Sequence, residues 1–256
     1  MIHPTAVIDP TATLGNNVSV GAFSIIGAEV VVGDDTWIGP HVVINGPTTI
    51  GKENRIFQFA SIGEAPQDLK YAGERTTLVI GERNTIREFV TLNRGTGDGV
   101  GKTVIGSDNL FMAYSHVAHD CMVGNHSVFA NAASLAGHVE VGDYSTLGGF
   151  TSVHQFTRIG TRAFCGLGSV ITQDIPPYST AAGNRARAVG INKVGLQRKG
   201  FSSELIRALH KSFRLLLKSK TSREDALAEL KPLIDSYPEV ELFTQFVLDS
   251  KRGIAR

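Results

Sequence analysis

An aliphatic side chain returns at every sixth position over most of this chain, and glycine usually follows it. The first run consists of Ile8, Leu14, Val20, Ile26, Val32, Ile38, Ile44, Ile50, Ile56 and Ile62. The period resumes at Ile80, slips by one residue after Leu92, and continues from Ile105 to Ile171. A sustained hexapeptide period predicts a parallel β-helix.

Six residues accommodate one short strand and one turn, so three repeats are expected to close a triangular coil of about eighteen residues. The aliphatic residue would point inward and pack on its equivalents in the coils above and below. We expect the glycine after it to lie at a tight corner, where it tolerates backbone angles that other residues avoid. A β-sandwich is the alternative, but strand alternation would not keep one six-residue register over nine repeats.

Two segments interrupt the period. Residues 64–77 carry Pro66, Asp68 and Lys70, and residues 94–103 are rich in glycine and contain the slip. Both are predicted to be loops that leave a corner of the prism. Because loops often carry function, both are expected to cover a site.

The period becomes helical at the carboxyl end. From about Ser202, apolar residues are spaced by three and four, which is typical of one helix face. Thr221 and Glu224 form a capping-box pattern that predicts the start of a second helix, which Pro232 is expected to interrupt or bend. Pro238 is expected near the start of a third helix. We therefore predict a β-helix over 1–192 and a C-terminal helical domain over 193–256 that caps its open end.

Composition narrows the classes of function. The formal net charge is only +1, but nine basic residues lie within 193–223. The only aromatic residues among them are Phe201 and Phe213, and no recognition motif appears, so nucleic acid is not an expected partner. The chain has no apolar run long enough for a transmembrane segment. No signal peptide is recognisable, and two cysteines give no disulfide framework, so a reducing, cytoplasmic location is expected.

Histidines cluster in one region of the repeat. Counted in coils of eighteen residues, His119 and Asp120 lie above His138, and the next coil brings His154 and Gln155 to the same edge. Such a set suits two chemistries. One imidazole, oriented by a carboxylate, could act as a general base on a hydroxyl group. Alternatively, three imidazoles could bind Zn²⁺ with an open position for water, as in a hydratase.

Several sequence motifs resemble one acyltransferase family. They are His-Val-Ala-His-Asp-Cys at 116–121, Leu-Ala-Gly-His at 135–138, Val-His-Gln-Phe at 153–156, Gln-Asp-Leu-Lys-Tyr at 67–71 and Arg-Lys-Gly-Phe at 198–201. Together they are similar to the UDP-N-acetylglucosamine O-acyltransferases of lipid A biosynthesis, over essentially the whole chain. The resemblance implies an all-β left-handed parallel β-helix that forms a homotrimer, with sites between neighbouring subunits.

The same resemblance implies a reaction and roles for individual residues. A 3-hydroxyacyl group would pass from the phosphopantetheine of acyl carrier protein to the 3-hydroxyl of UDP-N-acetylglucosamine, with no separate cofactor and no metal. His119 would be the general base, Asp120 its orienting carboxylate, and the N–H of Gly137 the oxyanion donor. The expected substrate contacts are Asp68, Lys70, His116, His138 and Gln155 at the sugar and acyl sites, and His154, Asn192, Arg198 and Lys199 on the nucleotide side.

Three positions depart from the family pattern or vary within it. Asn93 replaces the histidine of a His-Arg-Gly-Thr motif, and Val194 replaces a glutamate, so both local contacts are expected to differ. Leu167 falls at or near the residue that measures acyl length, and its bulk favours a shorter chain than glycine would. The related N-acyltransferase is an alternative, but that enzyme carries a domain before the repeats, whereas this sequence starts directly with them. An acetyl-CoA-dependent acetyltransferase and a structural β-helix are less favoured.

Overall fold

The computed structural model describes residues 1–256 as a left-handed parallel β-helix followed by helices. Three parallel sheets form the sides of a triangular prism, and each coil contributes one short strand to each sheet. The hexapeptide prediction is therefore confirmed. No helix of the structure is long and apolar enough to cross a membrane.

The strands follow one another around the prism in rotation as far as Val170–Ile171, after which the last two strands both join sheet 3. Sheet 1 contains Val7–Ile8, Ile25–Ile26, Val43–Ile44, Ser61–Glu64, Thr91–Asn93, His116–Val117, Ser134–Leu135, Ser152–Val153 and Val170–Ile171. Sheet 2 contains Thr13–Leu14, Val30–Val32, Thr48–Ile50, Thr77–Ile80, Lys102–Ile105, Met122–Val123, Glu140–Val141 and Arg158–Ile159. Sheet 3 contains Ser19–Val20, Trp37–Ile38, Arg55–Ile56, Thr85–Ile86, Leu110–Phe111, Val128–Phe129, Thr146–Leu147, Phe164–Cys165, Ser179–Ala182 and Arg187–Ile191.

The periodic aliphatic residues form one continuous core. The cluster contains 37 buried residues and extends from Val18 to Ala255. A ladder of buried amides runs beside it: the Oδ1 atoms of Asn54, Asn84 and Asn109 each accept the backbone N–H one coil later, at 2.9, 2.9 and 2.7 Å. The sequence separations along this ladder are 30, 25 and 18 residues. The two longer coils contain the predicted loops, whose non-strand parts are residues 65–76 and 94–101.

The glycines that follow the periodic aliphatic residues have a different structural role from the one expected. Positive φ angles occur three residues after the periodic aliphatic, on residues such as Asn17, Phe23 and Asp120, whereas Gly63 alone has one among the glycines that follow the aliphatic directly. At Gly33 an added Cβ would lie 2.6 Å from the carbonyl carbon of Gly51 in the next coil. The expectation of unusual backbone angles at these glycines was therefore wrong except at Gly63. At most of these positions, though not at Gly27, Gly39 and Gly166, adjacent coils approach too closely for a side chain.

Four α-helices complete the chain. They are α1 (Lys193–Arg198), α2 (Ser203–Phe213), α3 (Arg223–Ser236) and α4 (Pro238–Leu248), and a π-helical turn at Arg214–Lys218 extends α2. A second core of 13 buried residues joins them to the end of the prism. Arg187–Ile191 pairs antiparallel with Ser179–Ala182 and contacts α2, so the last strand of sheet 3 is covered as well.

Two details of the helix prediction need correction. The N-cap of α3 is Ser222, whose Oγ accepts the N–H of Asp225 at 3.1 Å, and not Thr221 with Glu224. Ser222 has the extended ψ of 156° that an N-cap residue adopts. Pro232 does not end the helix, because α3 continues through it to Ser236. Pro238 opens α4, as predicted.

The close approach of the coils can be tested with a pair of alanine substitutions. Gly33→Ala should lower the free energy of unfolding by about 1–3 kcal/mol, because its Cβ would overlap the backbone of the next coil. Gly190→Ala is the matched control, since its Cβ would meet no atom within 4 Å. Chemical denaturation of both variants gives the two values. Equal effects at the two positions would contradict the role given to the glycines.

Candidate active site

A histidine and an aspartate are joined at the corner between sheets 1 and 2. His119 and Asp120 lie between the strands His116–Val117 and Met122–Val123, and Asp120 has a φ of 59° that turns the chain. Nδ1 of His119 is 2.8 Å from Oδ2 of Asp120. The carboxylate is fully buried, whereas 14% of the imidazole is exposed. The pair therefore presents one ring nitrogen to the outside and keeps the other on the carboxylate.

Residues of the second loop hold the Asp120 carboxylate. Thr96 donates to it from its hydroxyl at 2.6 Å and from its backbone N–H at 3.0 Å. Burial alone would raise the Asp120 pKa, but the hydrogen bonds from Thr96 and His119 outweigh it, and the pKa is lowered. The carboxylate is therefore ionised at neutral pH, and it can only accept a hydrogen bond from His119.

Gly137 and His138 lie directly below this pair, one coil later. A Cβ on Gly137 would lie 2.4 Å from Cε1 and 2.6 Å from Nε2 of His119, so only glycine fits beneath the ring. The N–H of Gly137 donates to no acceptor within the chain. The ring of His138 meets that of His119 edge-on, with centroids 5.1 Å apart. The corner thus combines an oriented imidazole with a free backbone donor.

The third predicted histidine is not part of this group. Nδ1 of His154 is 2.7 Å from a guanidinium nitrogen of Arg252, near the end of the chain. Below His138 lies the ring of Phe156, stacked at 4.4 Å. The prediction of three histidines on one edge was therefore only partly right: the eighteen-residue count leads from His138 to Phe156, and His154 lies two positions earlier in its coil. The same count could have identified Phe156.

The remaining contacts predicted for the sugar and acyl sites have different surroundings. Nδ1 of His116 is 2.7 Å from Oγ1 of Thr91, one coil earlier. Asp68 lies close enough to His138 to raise its pKa, although burial has the larger, opposite effect. Lys70, in the first loop, and Gln155, one residue before Phe156, are exposed. Leu167 is 76% exposed, and its Cδ1 covers the position where Gly149 would carry a Cβ.

The two loops are connected to each other. Arg94 donates to the hydroxyl of Tyr71 at 3.2 Å, and the N–H of Gly97 donates to Glu74 at 2.9 Å. Asn93, at the position of the family histidine, donates its side-chain amide to the carbonyl of Ala65 at 3.0 Å and is buried. Asn93 therefore fastens the start of the first loop.

A separate pocket lies on the opposite side of the prism. It covers part of sheet 3 and the adjoining corner with sheet 2, and its volume is about 740 Å³. Asn192, Arg198 and Lys199 line it together with Val194 and Arg162. Asn192 also caps α1, because its Oδ1 accepts the N–H of Gly195 at 3.1 Å. Within one chain, these nucleotide-side candidates are not brought together with His119.

Three groups at the corner could also hold a metal ion. Ligand atoms of His119, Asp120 and His138 lie within 4.8 Å of one another. This set differs from the three histidines that the zinc hypothesis required. Nδ1 of His119 is already occupied by Asp120, which leaves a single free ring nitrogen on that residue.

Comparisons with known proteins give concordant results. Residues 174–255 match the family model described as UDP-N-acetylglucosamine O-acyltransferase, domain 2. Acyl-[acyl-carrier-protein]–UDP-N-acetylglucosamine O-acyltransferases from Alkalilimnicola ehrlichii and Herminiimonas arsenicoxydans are 56% and 53% identical to this chain, and each alignment covers 100% of it and 99% of the relative. The solved structure of LpxA from Acinetobacter baumannii is 45% identical, with a TM-score of 0.97 over 100% of this chain and 99% of that one.

The repeat, its corner dyad and these similarities define an acyltransferase of the hexapeptide-repeat class. Two relatives of one enzyme family share more than half of their residues with this chain over its full length, which identifies the family within that class. The chain belongs to the acyl-[acyl-carrier-protein]–UDP-N-acetylglucosamine O-acyltransferase family. The resemblance noted in the motifs is thereby confirmed.

The buried histidines should make the stability of the fold depend on pH. Burial lowers the pKa of His116 and of His138 below the usual 6.5, and the neighbouring His119 lowers both further. Between that lowered pKa and 6.5, the unfolded chain binds more protons than the folded one, so stability falls as pH falls. Ring NMR signals of both residues should titrate with midpoints below 6.5, and His116→Asn should reduce the acid loss of unfolding free energy. Midpoints at or above 6.5 would contradict the burial argument.

Proposed function

We propose that this chain transfers a 3-hydroxyacyl group from acyl carrier protein to the 3-hydroxyl of UDP-N-acetylglucosamine, the first step of lipid A biosynthesis. The observation that carries the proposal is the imidazole of His119, fixed on a buried carboxylate and placed directly above the free N–H of Gly137. The relatives named above act on these two substrates, and the similarity covers the whole chain.

The corner has the groups that such a transfer requires. Asp120 accepts the Nδ1 proton of His119, so Nε2 carries the lone pair that removes the proton of the sugar hydroxyl. The hydroxyl oxygen attacks the thioester carbonyl carbon, and the N–H of Gly137 stabilises the resulting oxyanion. When the carbon–sulfur bond breaks, the imidazolium returns its proton to the departing thiol. Neither a metal ion nor a further cofactor enters this sequence.

The substrate contacts follow from the surroundings of the dyad. His116 and His138 are near neighbours of His119, and Asp68 lies close to His138. Together with Lys70 and Gln155 they would bind the sugar and the acyl head. Leu167 would limit the length of the acyl chain, because its exposed side chain lies below Gly149 on another corner of the prism.

The nucleotide would be bound by a neighbouring subunit. Arg198 and Lys199 provide two cations, which suit a diphosphate, and Asn192 lies beside them. Position 194 carries valine in place of the family's glutamate, so no carboxylate there would repel the diphosphate. His154 would extend this contact from the subunit that carries His119. Because one chain places Arg198 opposite the corner of His119, a complete site needs two subunits. A cyclic homotrimer would form three such sites.

Basic residues of α2 and the adjoining segments would attract acyl carrier protein through its acidic surface. Both cysteines are free and buried, and burial raises the pKa of each to about 12. Such thiols are unreactive and fit the reducing cytoplasm in which we place the reaction.

Removal of the base tests the mechanism. His119→Ala should lower kcat for acyl transfer by roughly 100- to 10,000-fold, since this is the usual contribution of a general base. The control is His210→Ala on the exposed side of α2, which should keep full activity. A fluorescence or mass-spectrometric assay of acylated UDP-sugar measures both, and circular dichroism verifies the fold. Undiminished turnover of His119→Ala would refute the mechanism.

The shared site predicts complementation between two inactive variants. His119→Ala and Arg198→Ala should each be inactive alone, but each mixed trimer should regain activity at about one of its three sites, because one intact half of that site comes from each variant. Co-expression with two affinity tags isolates the mixed species for assay. Absence of any recovery in verified mixed oligomers would place the whole site within one subunit.

A further inference from the structure

Thr96 contacts the catalytic corner through the carboxylate of Asp120 alone. It is buried, with 3% of its surface exposed, and it lies in the second loop and not in the repeat. Its hydroxyl and its backbone N–H reach the same Oδ2 atom that His119 contacts, at 2.6 and 3.0 Å. The N–H also lies 3.2 Å from the other carboxylate oxygen. No other side-chain hydroxyl donates to this carboxylate.

We propose that Thr96 is a positioning residue for the reaction: its hydroxyl fixes the orientation of the Asp120 carboxylate and thereby the position of the His119 ring. This inference rests on the proposed function, because it gives Thr96 an effect only if His119 and Asp120 act as base and orienting group. Thr96 itself would not touch either substrate.

The hydrogen bonds give the hydroxyl a defined task. A carboxylate can rotate about its Cβ–Cγ bond, and a single bond to His119 would leave that rotation open. Two donors from Thr96 fix it, and the hydroxyl bond to a charged acceptor is of the stronger kind. Since the proton of His119 points at the same oxygen, rotation of the carboxylate would move the ring away from its place above Gly137.

The loop around Thr96 is itself fixed in position. The N–H groups of Gly99 and Gly101 both donate to the Thr96 carbonyl, at 3.2 and 3.1 Å, which closes a tight turn. A Cβ on Gly99 would lie 2.5 Å from the Asp120 carboxylate, so the turn is pressed against that group. Glu74 of the first loop holds the next residue, Gly97. The corner dyad is therefore supported from both loops through Thr96.

The test uses substitutions that change the hydroxyl and little else. Thr96→Val keeps the shape and the backbone N–H but removes the hydroxyl, and Thr96→Ser keeps the hydroxyl. Thr76→Val is the matched control, because Thr76 is a buried threonine whose Oγ1 has no hydrogen-bond partner. Steady-state assays with purified acyl carrier protein and UDP-N-acetylglucosamine give kcat and KM for each variant.

Thr96→Val should lower kcat roughly 10- to 100-fold, the effect of losing one hydrogen bond to a charged group. The KM for the sugar nucleotide should change by less than about threefold, because the residue touches no substrate. Thr96→Ser should recover most of the loss, and Thr76→Val should show none. In an Asp120→Ala background, Thr96→Val should cost less than about twofold, because its only route of action is gone.

The results distinguish a failure of the Thr96 role from a failure of the proposed acyl transfer. The positioning role is wrong if Asp120→Ala lowers kcat while Thr96→Val keeps full kcat. It is also wrong if Thr96→Val lowers kcat by the same factor with and without the Asp120 carboxylate. In both cases the base mechanism stands. If His119→Ala and Asp120→Ala both keep full activity, the proposed function fails first. A loss in Thr96→Val that serine does not restore would also overturn the role of the hydroxyl.

Discussion

One backbone hydrogen bond is repeated along sheet 2 without a gap. The N–H of the residue after each buried aliphatic donates to the carbonyl of the next aliphatic one coil later, at 2.8 Å, from Gly15 with Val32 to Gly160 with Ile175. The series even continues past the loops, where Gly51 donates to Ile80 and Gly81 to Ile105. Because these bonds fix the spacing between coils, every corner residue lies at a defined height above its equivalent. The position of His119 above Gly137 is one consequence.

The loops are extra chain that this constraint leaves outside the prism. Since the backbone bonds resume in the same register on both sides, the surplus residues can leave only at a corner. The two loops meet there, joined by Arg94 with Tyr71 and by Glu74 with Gly97. They bring a charged and polar surface to the one edge of the prism where a buried carboxylate holds an imidazole. A regular β-helix thereby gains a site without losing any part of its core.

The repeat could be predicted from the sequence because every six-residue unit needs one inward aliphatic residue. The proximity of His119 and Asp120 to His138 was accessible in the same way, by counting eighteen residues per coil, whereas the roles of His119 and Asp120 came from the resemblance of the motifs. The role of the glycines was misread, since a close backbone approach and a positive φ select the same residue type. The contact of Thr96 with Asp120 could not be foreseen, because the length of an irregular loop gives no register. Arg252, which meets His154 across a sequence distance of 98 residues, was equally inaccessible.

The corner of sheets 1 and 2 is the part of this account on which the function depends. A crystal structure of the protein with UDP-N-acetylglucosamine bound would locate the acceptor directly. We expect the 3-hydroxyl oxygen within about 2.6–3.2 Å of Nε2 of His119, with the diphosphate beside Arg198 of a neighbouring subunit. A sugar whose 3-hydroxyl lies away from His119, with the ligand held within a single subunit, would contradict it.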